Sequence, residues 1–293
     1  MLLRHHCRVS SMSPSCHPQV VAHRGASAEA PEHTLAAYQA ALAAGAGALE
    51  CDVRLTADGH LVCVHDRKVD RTSNGRGKVS TLELARLEEL DFGAWHHTRD
   101  EEPDLEHDPA ESRPDRVLTL RRLLELVSGY PRRVELAIEV KHPTRYAGLV
   151  ERKLVDLLDE FGWAHPAQAG TVPVRVMSFS RVAVKRIHRL APKLETVFLF
   201  EPIAYRLGDG VLPRTVPIAG PSIEILRSQP EAVRRMRMAG RRVHVWTVDE
   251  EADVELCMSL GVDAIITNRP REVRALVESK CAGAAHAPAG GAG

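Results

Sequence analysis

Between residues 19 and 279 short apolar runs alternate with segments of helical periodicity, and this alternation constrains the fold more than any other feature. A strand, a crossover helix and another strand make a parallel sheet, because the helix carries the chain back to the end where it began. Runs at 19–23, 48–56, 60–65, 134–141, 173–179, 195–200, 221–225, 242–247 and 263–267 read as strands. Helical spacing covers 32–44, 118–127, 146–161, 181–190, 229–239, 250–260 and 271–279. Nine strands are one too many for an eight-stranded barrel. Asp58-Gly59, between two alternating runs, accounts for the surplus as a hairpin turn. A two-residue turn there sets Ala57 opposite His60, Val53 opposite Val64 and Asp52 opposite His65. The expectation is an α/β chain: a (β/α)8 TIM barrel with an extra antiparallel hairpin strand after the second barrel strand.

Composition narrows the function classes. Lys plus Arg number 39 and Asp plus Glu 39, so the net charge is zero, and a generic nucleic-acid partner is not expected. Aromatics make up 4%, too few for base-stacking platforms. No run of about 18 apolar residues is present, so no transmembrane segment is expected. Residues 1–18 lack the apolar core of a secretory signal, since Arg4, His5 and His6 follow Leu2-Leu3 at once. They read as a flexible leader, 19–279 as a single catalytic domain, and the Ala/Gly-rich 280–293 as a flexible tail. The acidic stretch 101–114 reads as a surface loop. Six cysteines without a CxxC pair indicate reduced thiols and a cytoplasmic protein. The oligomeric state is open.

Side-chain alternation then isolates a site. Leu49, Cys51, Val53 and Leu55 share one face of the second strand, and Glu50, Asp52 and Arg54 the other. On the fourth run Leu136, Ile138 and Val140 alternate with Ala137, Glu139 and Lys141. With the apolar sets against helices, the charged sets point into the barrel, whose interior is ordinarily branched and apolar. Glu50, Asp52 and Glu139 together repel, and a hard divalent cation resolves the repulsion. The alternative is a salt-bridge network with Arg24, Arg54 and Lys141. His23 closes the first strand and His65 the hairpin, and histidine exchanges protons near neutrality. Arg24 and Lys141 supply positive charge for an anion. Carboxylates, two histidines and an Arg/Lys pair together describe metal-assisted phosphoryl transfer. Trp246 falls on an inward strand face.

The segments VVAHRGASAEAPEHTLAAYQAAL, LECDVRLTADGHLVCVHD and DRTSNGRG resemble the glycerophosphodiester phosphodiesterase family. So do AIEVKHP, VMSFS and VHVWTVDEEADVELCMSLGVDAIITNRP, in family order from about Val20 to Pro270. The resemblance implies a (β/α)8 barrel that hydrolyses small-molecule glycerophosphodiesters to sn-glycerol 3-phosphate and an alcohol with Mg2+ or Ca2+. It implies His23 and His65 as the acid/base pair and Glu50, Asp52 and Glu139 as metal ligands. Arg24 and Lys141 become phosphate binders, and Trp246 and Phe179 pack against the glycerol carbons. It further implies attack by a neighbouring substrate hydroxyl, giving a cyclic phosphate that water opens. Glu32 lies near the site in the family motif, although its position also suits helix capping. His33 stands where the family has Asn, and Asn268 where it often has Asp. Two rival readings are a lysophospholipase D-like enzyme acting on lipid-tailed substrates and a catalytically silent barrel that binds phosphorylated ligands.

Overall fold

The computed structural model describes residues 17–96, 115–142, 148–202 and 212–285. The strands are β1 (Gln19–His23), β2 (Ala48–Leu55), β3 (Leu61–Cys63), β4 (Glu135–Val140) and β5 (Val174–Ser178). Then come β6 (Glu195–Phe200), β7 (Ile218–Pro221), β8 (Arg242–Val245) and β9 (Ala264–Thr267). Eight of them pair in parallel in the cyclic order β1-β2-β4-β5-β6-β7-β8-β9, and the β1–β9 and β1–β2 pairings close the ring. β3 alone among the strands is antiparallel; it pairs with β2, and Cys63 N–H also donates to Leu118 O. This is the expected TIM barrel with its extra hairpin strand.

The helices are α1 (Leu35–Ala43), α2 (Leu84–Glu88), α3 (Leu120–Ser128), α4 (Leu149–Glu160) and α5 (Arg181–Leu190). They continue with α6 (Ile223–Ser228), α7 (Glu231–Met238), α8 (Glu251–Ser259) and α9 (Pro270–Ala285). Side chains start several of them: Thr34, Thr119 and Ser180 accept the backbone N–H groups of Ala37, Arg122 and Ala183. α9 runs six residues beyond position 279, and Cys281 is buried, so the packed domain extends past the compositional boundary. The 101–114 stretch and most of the leader and tail lie outside the described residues.

Two apolar layers follow from strand alternation. Leu49, Cys51, Val53, Leu136, Ile138 and Val140 face helices in the outer layer. Val21, Ala48, Ala137, Met177, Val197, Leu199, Ile218, Ala264 and Ile266 fill the barrel interior. β3 serves two cores at once. Leu61 and Cys63 join the outer layer, whereas Val62 and Val64 turn the other way and pack with Val69, Val79, Leu87, Leu90 and Phe92. That small core seats α2, a helix absent from the sequence reading.

Two strand assignments shift. The hairpin pairs Val53 with Cys63, Arg54 with Val62 and Leu55 with Leu61, one residue off the expected register. The loop has three residues between Thr56 and His60, with Gly59 left-handed at φ 87°, where a two-residue turn was expected. Val64 therefore donates to Asp52 O, and His65 lies one position further along. The run at 221–225 is not a strand: Ser222 precedes α6, and Ile223, Ile225 and Leu226 are its buried face. The true strand, Ile218–Pro221, contains Gly220 because β6 leaves no room. A Cβ there would lie 2.7 Å from Leu199 and 2.9 Å from Val197. Gly220→Ala is expected to overpack the barrel interior and cost about 1–3 kcal/mol, lowering the urea midpoint with an unchanged m-value.

Candidate active site

The chemistry-bearing side chains gather at the C-terminal ends of the strands. His23 ends β1, Glu50 and Asp52 lie on β2, His65 follows β3, and Glu139 lies on β4 with Lys141 just beyond. Phe179 follows β5 and Trp246 follows β8. All of them except Asp52 line one pocket of about 340 Å3. Strands β1 to β4 provide its charged wall. Met177, Phe179, Leu199, Trp246 and Ile266 provide an apolar one, with Glu201 also lining the pocket. The Trp246 indole N–H is committed to Gly220 O at 2.8 Å, and its ring meets Phe179 edge-on at 5.2 Å. The two rings therefore offer the pocket carbon surface.

Glu50, Asp52 and Glu139 are 2%, 1% and 7% exposed, and each offers an oxygen within 4.8 Å of the others. Three carboxylates buried this closely suit a hard cation. Their charge is only partly matched by the protein. Lys141 Nζ lies 3.3 Å from Asp52 and 2.9 Å from Glu139. Arg24 Nε lies 3.1 Å from Asp52, out of line for a hydrogen bond. Arg54, a candidate partner, turns away and donates to His65 O. Among the described residues no Lys or Arg side chain pairs with Glu50, which accepts the backbone N–H of Arg24 at 3.1 Å. Burial and the Asp52 charge push Glu50 well above its usual range, and push Glu139 to about 8. Burial acts on Asp52 in the same sense, but His33, Lys141 and Arg24 hold it well below its usual value. The salt-bridge alternative thus accounts for Asp52 and, through the shared Lys141, in part for Glu139, and leaves Glu50 in surplus.

The loop after β1 makes this possible. Arg24 and His33 both adopt left-handed backbone, at φ 58° and 64°. Gly25, at φ 88°, passes so close to α1 that a Cβ would lie 2.6 Å from the Ala37 carbonyl carbon. His33 fills the place read as a family Asn with a defined task. It bridges Asp52 Oδ2 and the Tyr38 hydroxyl, each at 2.9 Å, and Tyr38 donates to Glu50 O at 3.1 Å. Glu32 is not a helix cap, since Thr34 holds that position. It accepts Arg24 at 3.1 Å and both terminal nitrogens of Arg71 at 2.8 Å.

Each histidine is tethered through Nδ1. His65 lies 2.7 Å from Asp66, whose other oxygen accepts Arg71 at 2.8 Å. His23 lies 2.7 Å from Asn268 Oδ1. The His23 Nε2 faces the carboxylates, 3.9 Å from Glu50. Burial, with the Arg24 charge, lowers the His23 imidazole to about 4. Asp66, Arg71 and Asp249 carry no role in the sequence reading. Asp66 was within reach, being the neighbour of His65, but Arg71 and Asp249 arrive through loops without a spacing rule.

Comparison with known proteins gives the family. The model of the Glycerophosphoryl diester phosphodiesterase family matches residues 23–272. The chain belongs to that family. It is 49% identical over 262 residues to a probable glycerophosphodiester phosphodiesterase 1 of Mycobacterium tuberculosis, covering 89% of this chain and 93% of that one. A glycerophosphodiester phosphodiesterase of Bacillus subtilis is 34% identical, covering 85% and 83%. Among solved structures, a phosphodiesterase of Oleispira antarctica in complex with the product sn-glycerol-3-phosphate superposes with a TM-score of 0.75. It is 25% identical and covers 89% of this chain and 97% of that one.

Burial and the Asp52 charge raise Glu139 to about 8, so at neutral pH a cation that needs its carboxylate competes with a proton. Divalent-cation affinity is expected to rise between pH 6 and pH 8. Calorimetry at pH 7 in buffers of different ionisation enthalpy should show proton release. A binding enthalpy independent of buffer would contradict this reading.

Proposed function

We propose that this chain hydrolyses glycerophosphodiesters to sn-glycerol 3-phosphate and an alcohol. The observation that carries the proposal is the convergence of Glu50, Asp52 and Glu139 on one point, beside a pocket that Glu50, Glu139 and two Nδ1-tethered histidines line. Family membership and the product complex of the Oleispira relative support the same substrate class. The three carboxylates would hold Mg2+ or Ca2+, hard cations that take oxygen donors. Such a cation, when bound, neutralises charge on the phosphodiester.

The protein's own residues divide the remaining work. Arg24 and Lys141 bind non-bridging phosphate oxygens, drawing on charge already placed at the pocket wall. Phe179 and Trp246 pack against the glycerol carbons and exclude water from that side. One histidine takes the proton of the attacking substrate hydroxyl at Nε2 while the other gives a proton to the departing alcohol oxygen. The resulting cyclic phosphate is opened by water with the two proton roles reversed. Cys51, Cys63 and Cys257, buried free thiols among the described residues, support a reducing, cytoplasmic setting.

A second reading has one observation in its favour. Phe179, which lines the pocket, and Val182, three residues on in the first turn of α5, are 39% and 54% exposed, an apolar edge at the surface. That edge suits a lipid-tailed substrate.

The test is release of sn-glycerol 3-phosphate from glycerophosphocholine. Chelation should abolish activity, and added Mg2+ or Ca2+ should restore it. His23→Ala and His65→Ala should each lower kcat by about 10²- to 10⁴-fold. Activity that survives both His23→Ala and Glu50→Ala would overturn the mechanism. Lysolipid turned over faster than glycerophosphocholine, with the preference lost in Val182→Asp, would favour the second reading.

A further inference from the structure

Asn268 and Asp249 form a hydrogen-bonded unit behind His23. Asp249, between β8 and α8, accepts the Thr267 hydroxyl at 2.9 Å and the Asn268 backbone N–H at 2.8 Å through Oδ1. Its Oδ2 lies 2.6 Å from Asn268 Nδ2. A carboxylate faces donors, so the amide of Asn268 turns its NH2 group to Asp249 and its oxygen the other way. That oxygen, Oδ1, meets the Ser27 hydroxyl at 2.8 Å and His23 Nδ1 at 2.7 Å. An amide oxygen only accepts, so the His23 proton resides on Nδ1. In the neutral ring Nε2 then carries the lone pair, and Nε2 faces the carboxylate cluster.

We propose that Asp249 is a positioning residue for the reaction. Acting through Asn268, it fixes the tautomer and orientation of His23 so that Nε2 is the atom that exchanges a proton. The inference rests on the reading of His23 as a proton carrier. It gives Asn268 a reason of its own. An amide can relay orientation only if something beyond it forbids the flip, and Asp249 is that group. With an acceptor and a donor on one planar end, Asn268 passes the polarity of Asp249 on to the ring.

The alternative is that Asp249 merely staples two loops, and a reciprocal exchange separates the two. In Asp249→Asn the new amide keeps an oxygen for Thr267 and the backbone N–H, and presents its NH2 to Asn268. Two NH2 groups then face each other, so Asn268 turns over and offers NH2 to His23, driving the ring proton to Nε2. The fold-holding bonds survive and the tautomer reverses. In the double variant Asp249→Asn/Asn268→Asp the new amide at 249 donates to the new carboxylate at 268, which again accepts from Nδ1–H.

The experiment uses the full chain with 15N-labelled histidine, wild type, both single variants and the double variant. Asp249→Asn should lower kcat by about 10²-fold or more with KM within about threefold. The His23 15N resonances should report the Nε2–H tautomer. The double variant should regain the Nδ1–H tautomer and at least a tenth of wild-type kcat. Asp249→Asn that retains the Nδ1–H tautomer overturns the proposal, as does a folded double variant that fails to recover it. His23→Ala serves as the control: full activity there refutes the proton-carrier reading, while the NMR tautomer still decides whether Asp249 sets the ring. Should Asp249→Asn fail to fold, the double variant decides alone by the same two readouts.

Discussion

The barrel mouth holds three carboxylates that the backbone does not allow to separate. Asp52 and Glu139 are direct register partners on β2 and β4, and Glu50 sits two residues back on the same face. Moving any one of them away would break a central pairing of a closed sheet. Buried like charges can be relieved by counter-charge, by protonation or by a cation. Arg24 lies against Asp52, His33 hydrogen-bonds it, and Lys141 is shared between Asp52 and Glu139. Glu50 and Glu139 are left to hold protons or take a metal. The surrounding geometry serves this arrangement. Two non-glycine residues, Arg24 and His33, accept left-handed backbone, each at a cost of roughly 1–2 kcal/mol, to bring their side chains to the cluster.

The opposite end of the same barrel shows what an inward charge looks like when its task is structural. Arg175, 5% exposed, donates to Glu135 at 2.7 Å and to Gln19 at 2.9 Å, and Gln19 donates to Glu135 at 3.1 Å. The carboxylate of Glu135 meets Arg175 and, at 3.8 Å, Arg133, and the Gln19 amide bridges Arg175 and Glu135, so the set holds no surplus acid. The C-terminal end has the same kinds of residue in the same barrel but leaves acid in surplus. Inward charge alone therefore does not mark a site; the imbalance does.

Much of this was legible before any coordinates. Period-two alternation in ALECDVRL and ELAIEV assigns Glu50, Asp52 and Glu139 to the inner face, because a parallel strand cannot turn one residue inward without its neighbours at ±2. Asp58-Gly59 signalled the hairpin, but its register slipped by one. A dipeptide cannot distinguish a two-residue turn from a three-residue loop with a left-handed glycine. The strand Ile218–Pro221 escaped because small inward residues such as Gly220 give no apolar rhythm, while the buried face of α6 next to it does. Arg71 and Asp249 were invisible for another reason. They reach the site by side chains from loops, and no periodicity constrains a loop.

The two histidines are held by different chemistry, and that difference has consequences. Behind His65 stands a carboxylate, Asp66, braced by Arg71, which also grips Glu32, which in turn receives Arg24 beside Asp52. The His65 tether is thus continuous with the charge network of the carboxylate cluster. Behind His23 stands a neutral amide whose orientation is dictated by a carboxylate one residue further back. That second carboxylate is anchored between β8 and β9, on the other side of β1 from the hairpin. Asp66 in direct contact favours the imidazolium form of His65, against burial and the Arg24 and Lys141 charges that lower this ring overall, whereas an amide oxygen orients the ring and adds no charge. Two rings of the same kind are thereby made unequal by what lies behind their Nδ1 atoms. A reaction that must take one proton and deliver another at the same moment requires that inequality.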